Sequence, residues 1–240
     1  MSINTKRLDR FISENCQINR KAVRLILAQK RVSVNGLIAS DIAMIVDQFS
    51  LIVMDGKTLQ SNQPYYIMLN KPIGVVCATK DEKHKTVIDL LKGKYDEQIT
   101  SDLHIVGRLD LNTSGLVLLT NDSRWSERLT SPEHKVGKCY YVTLAKPLTS
   151  DYINAFAEGM YFSYEEITTQ PAELRIISPL QAEVILTEGR YHQIKRMFGR
   201  FRNQVVVLHR HSIGQLNLDE TLPLGDSRNL TPIEVINITE

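Results

Sequence analysis

The residues that invite chemistry lie in one stretch, Gly107 to Asp122, reading G-R-L-D-L-N-T-S-G-L-V-L-L-T-N-D. One acid, Asp110, sits between the apolar residues Leu109 and Leu111, with the guanidinium of Arg108 two positions earlier. A carboxylate beside buried surface has a perturbed environment and can serve as nucleophile or base. The plain alternative is a turn aspartate capping its own loop with Asn112, Thr113 and Ser114. Two further stretches carry reactive or charged groups. Lys138-Cys139-Tyr140-Tyr141 holds phenols on an apolar run, and Gly189 to Phe198 concentrates Arg190, His192, Gln193, Lys195 and Arg196.

The elements that must position these groups can be read from periodicity. His104-Ile105-Val106 is short and β-branched, and Leu116 to Thr120 is a continuous apolar run ended by the turn pair Asn121-Asp122. Asp110 is therefore expected in a tight loop between two strands. Residues 65–69, 75–78, 138–144, 172–177, 182–186, 205–209 and 212–218 read as further strands, with helices at 123–129, capped by Ser123, and at 151–160. Strands outnumber helices and alternate irregularly with them, which predicts an α+β domain on a mixed, mostly antiparallel sheet. Of the neighbours Tyr140 and Tyr141, one is expected in the core, since successive strand residues face opposite sides.

Ahead of this lies a smaller unit. Thr5 to Ser13 has helical spacing, and Asn19 is a natural N-cap for Arg20 to Ala28, where Arg20, Lys21 and Arg24 share one flank. Val32-Ser33-Val34-Asn35-Gly36 reads as a strand entering a tight turn, as does Leu51 to Gly56. Polar residues then lead to Pro64, so the expected division is a unit over 1–59, a linker over 60–64 and a large domain over 65–240.

Composition narrows the classes. The chain has 240 residues and a formal net charge of only +2. Residues 1–40, however, hold eight Lys or Arg against Asp9 and Glu14, and residues 189–211 hold six and no acid. Two basic patches on a near-neutral body predict a polyanion gripped at two places. The three cysteines, Cys16, Cys77 and Cys139, are far apart and form no C-x-x-C, which fits neither a disulfide framework nor a zinc site. No apolar leader or membrane-length run is present, so a reduced, cytoplasmic protein is expected.

Four motifs in order now point to a family. Asn70-Lys71-Pro72-x-Gly74, Gly107-Arg108-Leu109-Asp110-x-x-Thr113-Ser114-Gly115-Leu116, Lys138-x-Tyr140-x-Val142 and Gly189-Arg190-x-x-Gln193-Ile194-Lys195-Arg196-Met197 resemble the RsuA/RluB/RluE/RluF branch of the pseudouridine synthases. The N-terminal basic helix followed by Val32-x-Val34-Asn35-Gly36 resembles the S4 RNA-binding domain, so the resemblance covers essentially the whole chain.

The resemblance implies an isomerase that breaks the N1–C1′ bond of a uridine, turns the uracil and joins C5 to C1′. It needs neither cofactor nor metal, since no redox change or group donor enters. Asp110 is implied as the catalytic carboxylate, attacking C1′ or removing a sugar proton. Tyr140 is implied against the uracil face as a base for the C5 proton, and Lys195, where relatives carry Arg, as the partner of Asp110. Ile194 is implied as an apolar wall for the base, and Arg108 as filler of the flipped uridine's gap or grip on its phosphate. Arg190, His192, Gln193 and Arg196 would face RNA, with Arg20, Lys21 and Arg24 forming a second contact. His192 reads equally as a buried, hydrogen-bonded histidine.

The resemblance is greatest to members that modify one uridine of 16S rRNA, which implies a monomer acting on that RNA or on a small-subunit assembly intermediate. The alternatives are a 23S rRNA enzyme of the same branch and a non-catalytic RNA-binding or ribosome-assembly protein. An aspartyl glycosidase is a poorer fit. It would need two carboxylates about the bond, and the motif supplies one.

Overall fold

A computed structural model describes residues 5–238, and the chain divides into two compact units, Met1–Pro64 and Tyr65–Glu240. The smaller unit runs β1 (Lys6–Arg7), α1 (Leu8–Cys16), α2 (Arg20–Ala28), β2 (Val32–Val34), β3 (Leu37–Ile38), β4 (Ile45–Val46), β5 (Ile52–Met54) and β6 (Lys57–Gln60). Its four-stranded sheet has the order β3-β2-β5-β6, and β1 pairs with β4. Helix α1 starts at Leu8 rather than Thr5, because Lys6 and Arg7 are drawn into the pairing with Val46 and Ile45.

Leu8, Phe11 and Ile12 of α1 pack on Val23 and Leu27 of α2 over Val32 and Ile52. The Asn19 side chain accepts from Ala22 N–H at 2.9 Å, the cap expected from its type. Asn35-Gly36 and Asp55-Gly56 both take the paired positive φ of a tight hairpin turn. Gln60 closes β6, and its side chain donates to the carbonyls of Asp47 and Ser50. It belongs to this unit rather than to a linker.

The larger unit continues with β7 (Tyr66–Lys71), α3 (Glu97–Asp102), β8 (His104–Val106), β9 (Ser114–Thr120), α4 (Ser123–Thr130), β10 (Lys138–Leu144), α5 (Asp151–Glu158), β11 (Tyr161–Phe162) and β12 (Ile167–Thr168). It then adds β13 (Glu173–Ser178), β14 (Gln181–Leu186), α6 (Gln193–Gly199), β15 (Val205–Ile213), β16 (Leu216–Asn217), β17 (Ser227–Asn229) and α7 (Pro232–Asn237). Nine strands form one sheet of order β13-β14-β10-β15-β9-β7-β17, with β16 on β15 and β8 on β9. All its pairings are antiparallel except β15 with β9, which meet in parallel only at His209–Ser114 and Arg210–Gly115. The α+β, mostly antiparallel reading holds.

Both faces of the sheet are covered, which is why β9 carries no polar alternation. Val117 and Leu119 join a core with Phe156, Met197 and Phe198, whereas Leu116 and Leu118 face Trp125 and Leu129 on the other side. On β10, Tyr140 is buried and Tyr141 exposed against His211. Two local readings change. The cap of α4 is Asp122, whose carboxylate accepts from the N–H groups of Arg124 and Trp125, and Ser123 is the first helical residue. Most of 205–218 is a single long strand, β15, rather than two, because the polar His209 and Arg210 find partners inside the sheet. The basic stretch from Arg190 to Phe198, to which periodicity assigned no element, is a turn followed by α6.

Candidate active site

The loop from Gly107 to Thr113 is held by two buried cations in addition to its own turn bond from Thr113 N–H to Asp110 O. Lys71 is fully buried at the end of β7. Its Nζ donates to the carbonyls of Thr113 at 2.7 Å, Pro72 at 3.0 Å, Asp110 at 3.1 Å and Leu111 at 3.5 Å. Arg210 on β15 is 1% exposed and donates to Leu116 O at 2.8 Å and Gly107 O at 2.6 Å. One cation thus gathers the middle of the loop and the other ties its two ends. Burial pushes the Lys71 ammonium below its usual pKa, the expected direction for a desolvated cation without a carboxylate bonded to it. The Leu109 N–H also donates to Cys77 Sγ, and Gly74 N–H to Leu111 O.

Gly115 is the position where this construction demands glycine. Its φ is +110°, and a Cβ there would stand 2.2 Å from the carbonyl oxygen of Arg210. The close approach is what lets β9 and β15 meet at the residue whose guanidinium staples the loop.

So held, Asp110 presents a carboxylate that is about 29% exposed. Lys195 Nζ on α6 reaches Oδ2 at 3.2 Å, and His192 Nε2 lies 3.4 Å from Oδ1. Each carboxylate oxygen therefore has its own nitrogen partner. His192 stands just before α6 with φ of 49°, a left-handed conformation uncommon for a residue with a side chain, and its ring stacks on Tyr191 at 3.9 Å. Of the two sequence readings of His192, the buried one does not hold: its side chain is 38% exposed and turned to the acid. A small cavity of about 80 Å³ is walled by Asp110, Tyr140, Ile194, Lys195, His192 and Leu208. It adjoins a larger cleft of about 580 Å³ that adds Cys77, Lys138, Tyr191 and Arg210.

The other expected residues separate into three groups. Arg108 is exposed and forms no ion pair among the described residues, so it is free to engage a ligand. Arg190 stays at the cleft but is paired through Nε with Glu188 at 2.8 Å. Gln193 does not face solvent as an RNA-contacting patch requires, whereas Arg196 is part-exposed but already engaged. The Gln193 side chain is buried, donating to Glu188 Oε1 at 2.7 Å and accepting from Arg190 N–H. Arg196 grips Glu165 through both guanidinium nitrogens at 2.5 Å and lies over the Phe162 ring. Gln193 is a correction with a plain cause: the first turn of α6 points its side chain inward. In the smaller unit, Arg20, Lys21 and Arg24 form no ion pair among the described residues, whereas Arg31 is committed to Asp55.

Arg210, Glu188 and the clamp by Lys71 were not read from sequence. The available signal was a cation in the middle of a run of strand residues, Val205 to Ile213, where charge is out of place unless satisfied internally.

A family model describing RNA pseudouridylate synthase matches residues 65–199. A ribosomal small subunit pseudouridine synthase A of Pseudomonas aeruginosa is 44% identical over 97% of this chain and 100% of its own length. Its counterpart from Escherichia coli K12 is 42% identical over 97% of this chain and 99% of its own. A solved structure of a pseudouridylate synthase superposes with a TM-score of 0.70 at 40% identity, covering 97% of this chain and 99% of that one.

Proposed function

We propose that this chain, which belongs to the RNA pseudouridylate synthase family, isomerises a single uridine of small-subunit ribosomal RNA with Asp110 as the catalytic carboxylate. The observation that carries the assignment of Asp110 is its double pairing, with Lys195 on one oxygen and His192 on the other, in a loop that two buried cations hold in place. A carboxylate so oriented is ready to act without reorganising. The 16S target is supported by the names of the full-length relatives above 40% identity.

The reaction moves no electrons to or from a second molecule. The N1–C1′ bond breaks, the uracil turns, C5 joins C1′, C5 loses its proton and N1 gains one. Asp110 either attacks C1′ or takes the 2′ proton of the ribose; both begin from the carboxylate that Lys195 and His192 hold in place. In this reading the base enters the cavity between Tyr140 and Ile194, whose walls are apolar where its faces lie, and the Tyr140 hydroxyl takes the C5 proton. Arg108, unpaired and exposed beside Asp110, fills the gap left by the flipped nucleotide or holds its phosphate.

The N-terminal unit acts, on this proposal, as an S4-like RNA-binding domain, with Arg20, Lys21 and Arg24 on phosphates. Their lack of ion pairs among the described residues supports this, because cations serving only folding would be paired as Arg31 is.

The test is pseudouridine mapping of ribosomal RNA from cells lacking the protein, with wild type or Asp110→Asn returned. One 16S uridine should lose its modification and regain it only with wild type. A lost 23S site would reassign the target, and restoration by Asp110→Asn would remove the carboxylate from the chemistry.

A further inference from the structure

Lys138 lines the larger cleft but not the small cavity at Asp110. It precedes Tyr140 by two residues on β10, so both side chains leave the same face of the strand, and each is 8% exposed. Its ammonium donates to one protein acceptor, Val136 O at 3.1 Å. An ammonium has three N–H donors, so most of its hydrogen-bonding capacity is unspent inside the protein.

No anion of the described residues compensates it. The acids at the cleft are Asp110, held by Lys195 and His192, and Glu188, held by Arg190. Its cross-strand neighbours are Leu186 and Ile213. Arg210 lines the same cleft and adds like charge. Burial and that guanidinium together push the Lys138 ammonium below its usual pKa.

The two spaces divide the labour. The cavity of about 80 Å³ at Asp110 opens into the adjoining cleft of about 580 Å³, which has room for the sugar-phosphate chain beside the base. A compact point charge with free donors suits a phosphate oxygen better than a base edge, which carries no net charge to neutralise it. We propose that Lys138 is the floor of a phosphate subsite that binds one phosphodiester flanking the target uridine while the base lies at Asp110. Arg108 and Arg190 meet the RNA from the solvent side, and Lys138 meets it from inside the protein, where salt screens least. The inference rests on the reading of this cleft as the RNA site.

The experiment pairs a protein variant with a change in the RNA. A 16S rRNA fragment containing the target uridine is made with single neutral methylphosphonate linkages, 5′ or 3′ of that uridine or one step beyond, each following a 2′-O-methyl sugar. Binding is measured for wild type and Lys138→Met, and turnover is measured on the unmodified fragment. Lys138→Met should raise KM about tenfold with kcat changed less than about twofold, and should lower the log–log salt slope by about 0.7.

One neutral linkage should weaken wild-type binding and leave the variant's binding as it was. Equal weakening of both proteins by every linkage overturns the proposal, as does a loss confined to kcat. If Lys138→Met proves unstable by its melting temperature, the linkage series on wild type decides alone: no single linkage that weakens binding and lowers the slope means no buried phosphate subsite. Wild type that neither binds nor isomerises the unmodified fragment, free or assembled with small-subunit proteins, would instead overturn the reading of the cleft.

Discussion

Replacing Lys71 by Met tests whether a buried ammonium positions the catalytic loop. Methionine matches the length of the lysine stem, so little cavity is created and the change isolates the charge and its donors. Four carbonyls lose their bonds to Nζ, but the loss is uneven. Asp110 O and Leu111 O retain the N–H groups of Thr113, at 3.1 Å, and Gly74, at 2.9 Å. The deficit falls on Thr113 O and Pro72 O, which stand at 2.7 Å and 3.0 Å from Nζ. Two acceptors deprived of a donor at roughly 1–3 kcal/mol each amount to about 4 kcal/mol.

Relief from desolvating the ammonium returns some of that, and the net loss is about 2 kcal/mol. In a unit of this size it corresponds to a Tm lower by about 4–8 °C. Turnover should fall further than stability implies, by about 10²-fold, because a carboxylate displaced by about 1 Å leaves the reacting geometry. RNA affinity should stay within about threefold, since Lys71 is buried and touches no ligand surface. Thermal unfolding, single-turnover pseudouridine formation and filter binding measure the three quantities. A variant that keeps both its Tm and its turnover would refute the clamp. A variant that loses affinity and turnover equally would make Lys71 an RNA contact.

Three further outcomes follow from particular contacts. Gly115→Ala should destabilise the larger unit by at least about 3 kcal/mol, from backbone strain and a Cβ driven into Arg210, whereas Gly199→Ala, with nothing within 4 Å of its Cβ, should be neutral or stabilising; equal Tm values for the two would contradict the close approach of β9 and β15. Replacing Arg20, Lys21 and Arg24 together by Gln should lower the salt slope of RNA binding by about two and leave kcat alone; an unchanged slope would remove that helix from the interface. The Glu234 carboxyl is held at about 2 by the Arg228 guanidinium, against its ordinary 4.5. Because its folded pKa is depressed, its contribution is present above pH 4.5 and is lost as pH falls toward 2. The stability difference between wild type and Glu234→Gln should therefore shrink across that window, and a constant difference would sink the pairing as its cause.

The sequence disclosed what repeats or recurs and concealed what depends on a partner far along the chain. The buried run after Gly115, the capped basic helix at Arg20 and the loop position of Asp110 were legible because local pattern suffices for each. The pairing of Asp110 with Lys195 was legible only through the resemblance, since 85 residues separate the two. Lys71 and Arg210 were not legible as a clamp. A lysine at a strand end and an arginine in a strand read as surface charge, and their partners are backbone carbonyls, which leave no trace in side-chain pattern.

The same blindness misplaced Gln193 and hid the commitment of Arg196 to Glu165. A dense basic motif suggests one solvent-facing patch, yet a helix of 3.6 residues per turn cannot aim consecutive side chains at one surface. Gln193 therefore turns to Glu188, and Arg196 to Glu165. Lys138 follows from the converse of this argument: where the fold buries a cation and gives it one carbonyl and no anion, the proposed counter-charge belongs to the ligand.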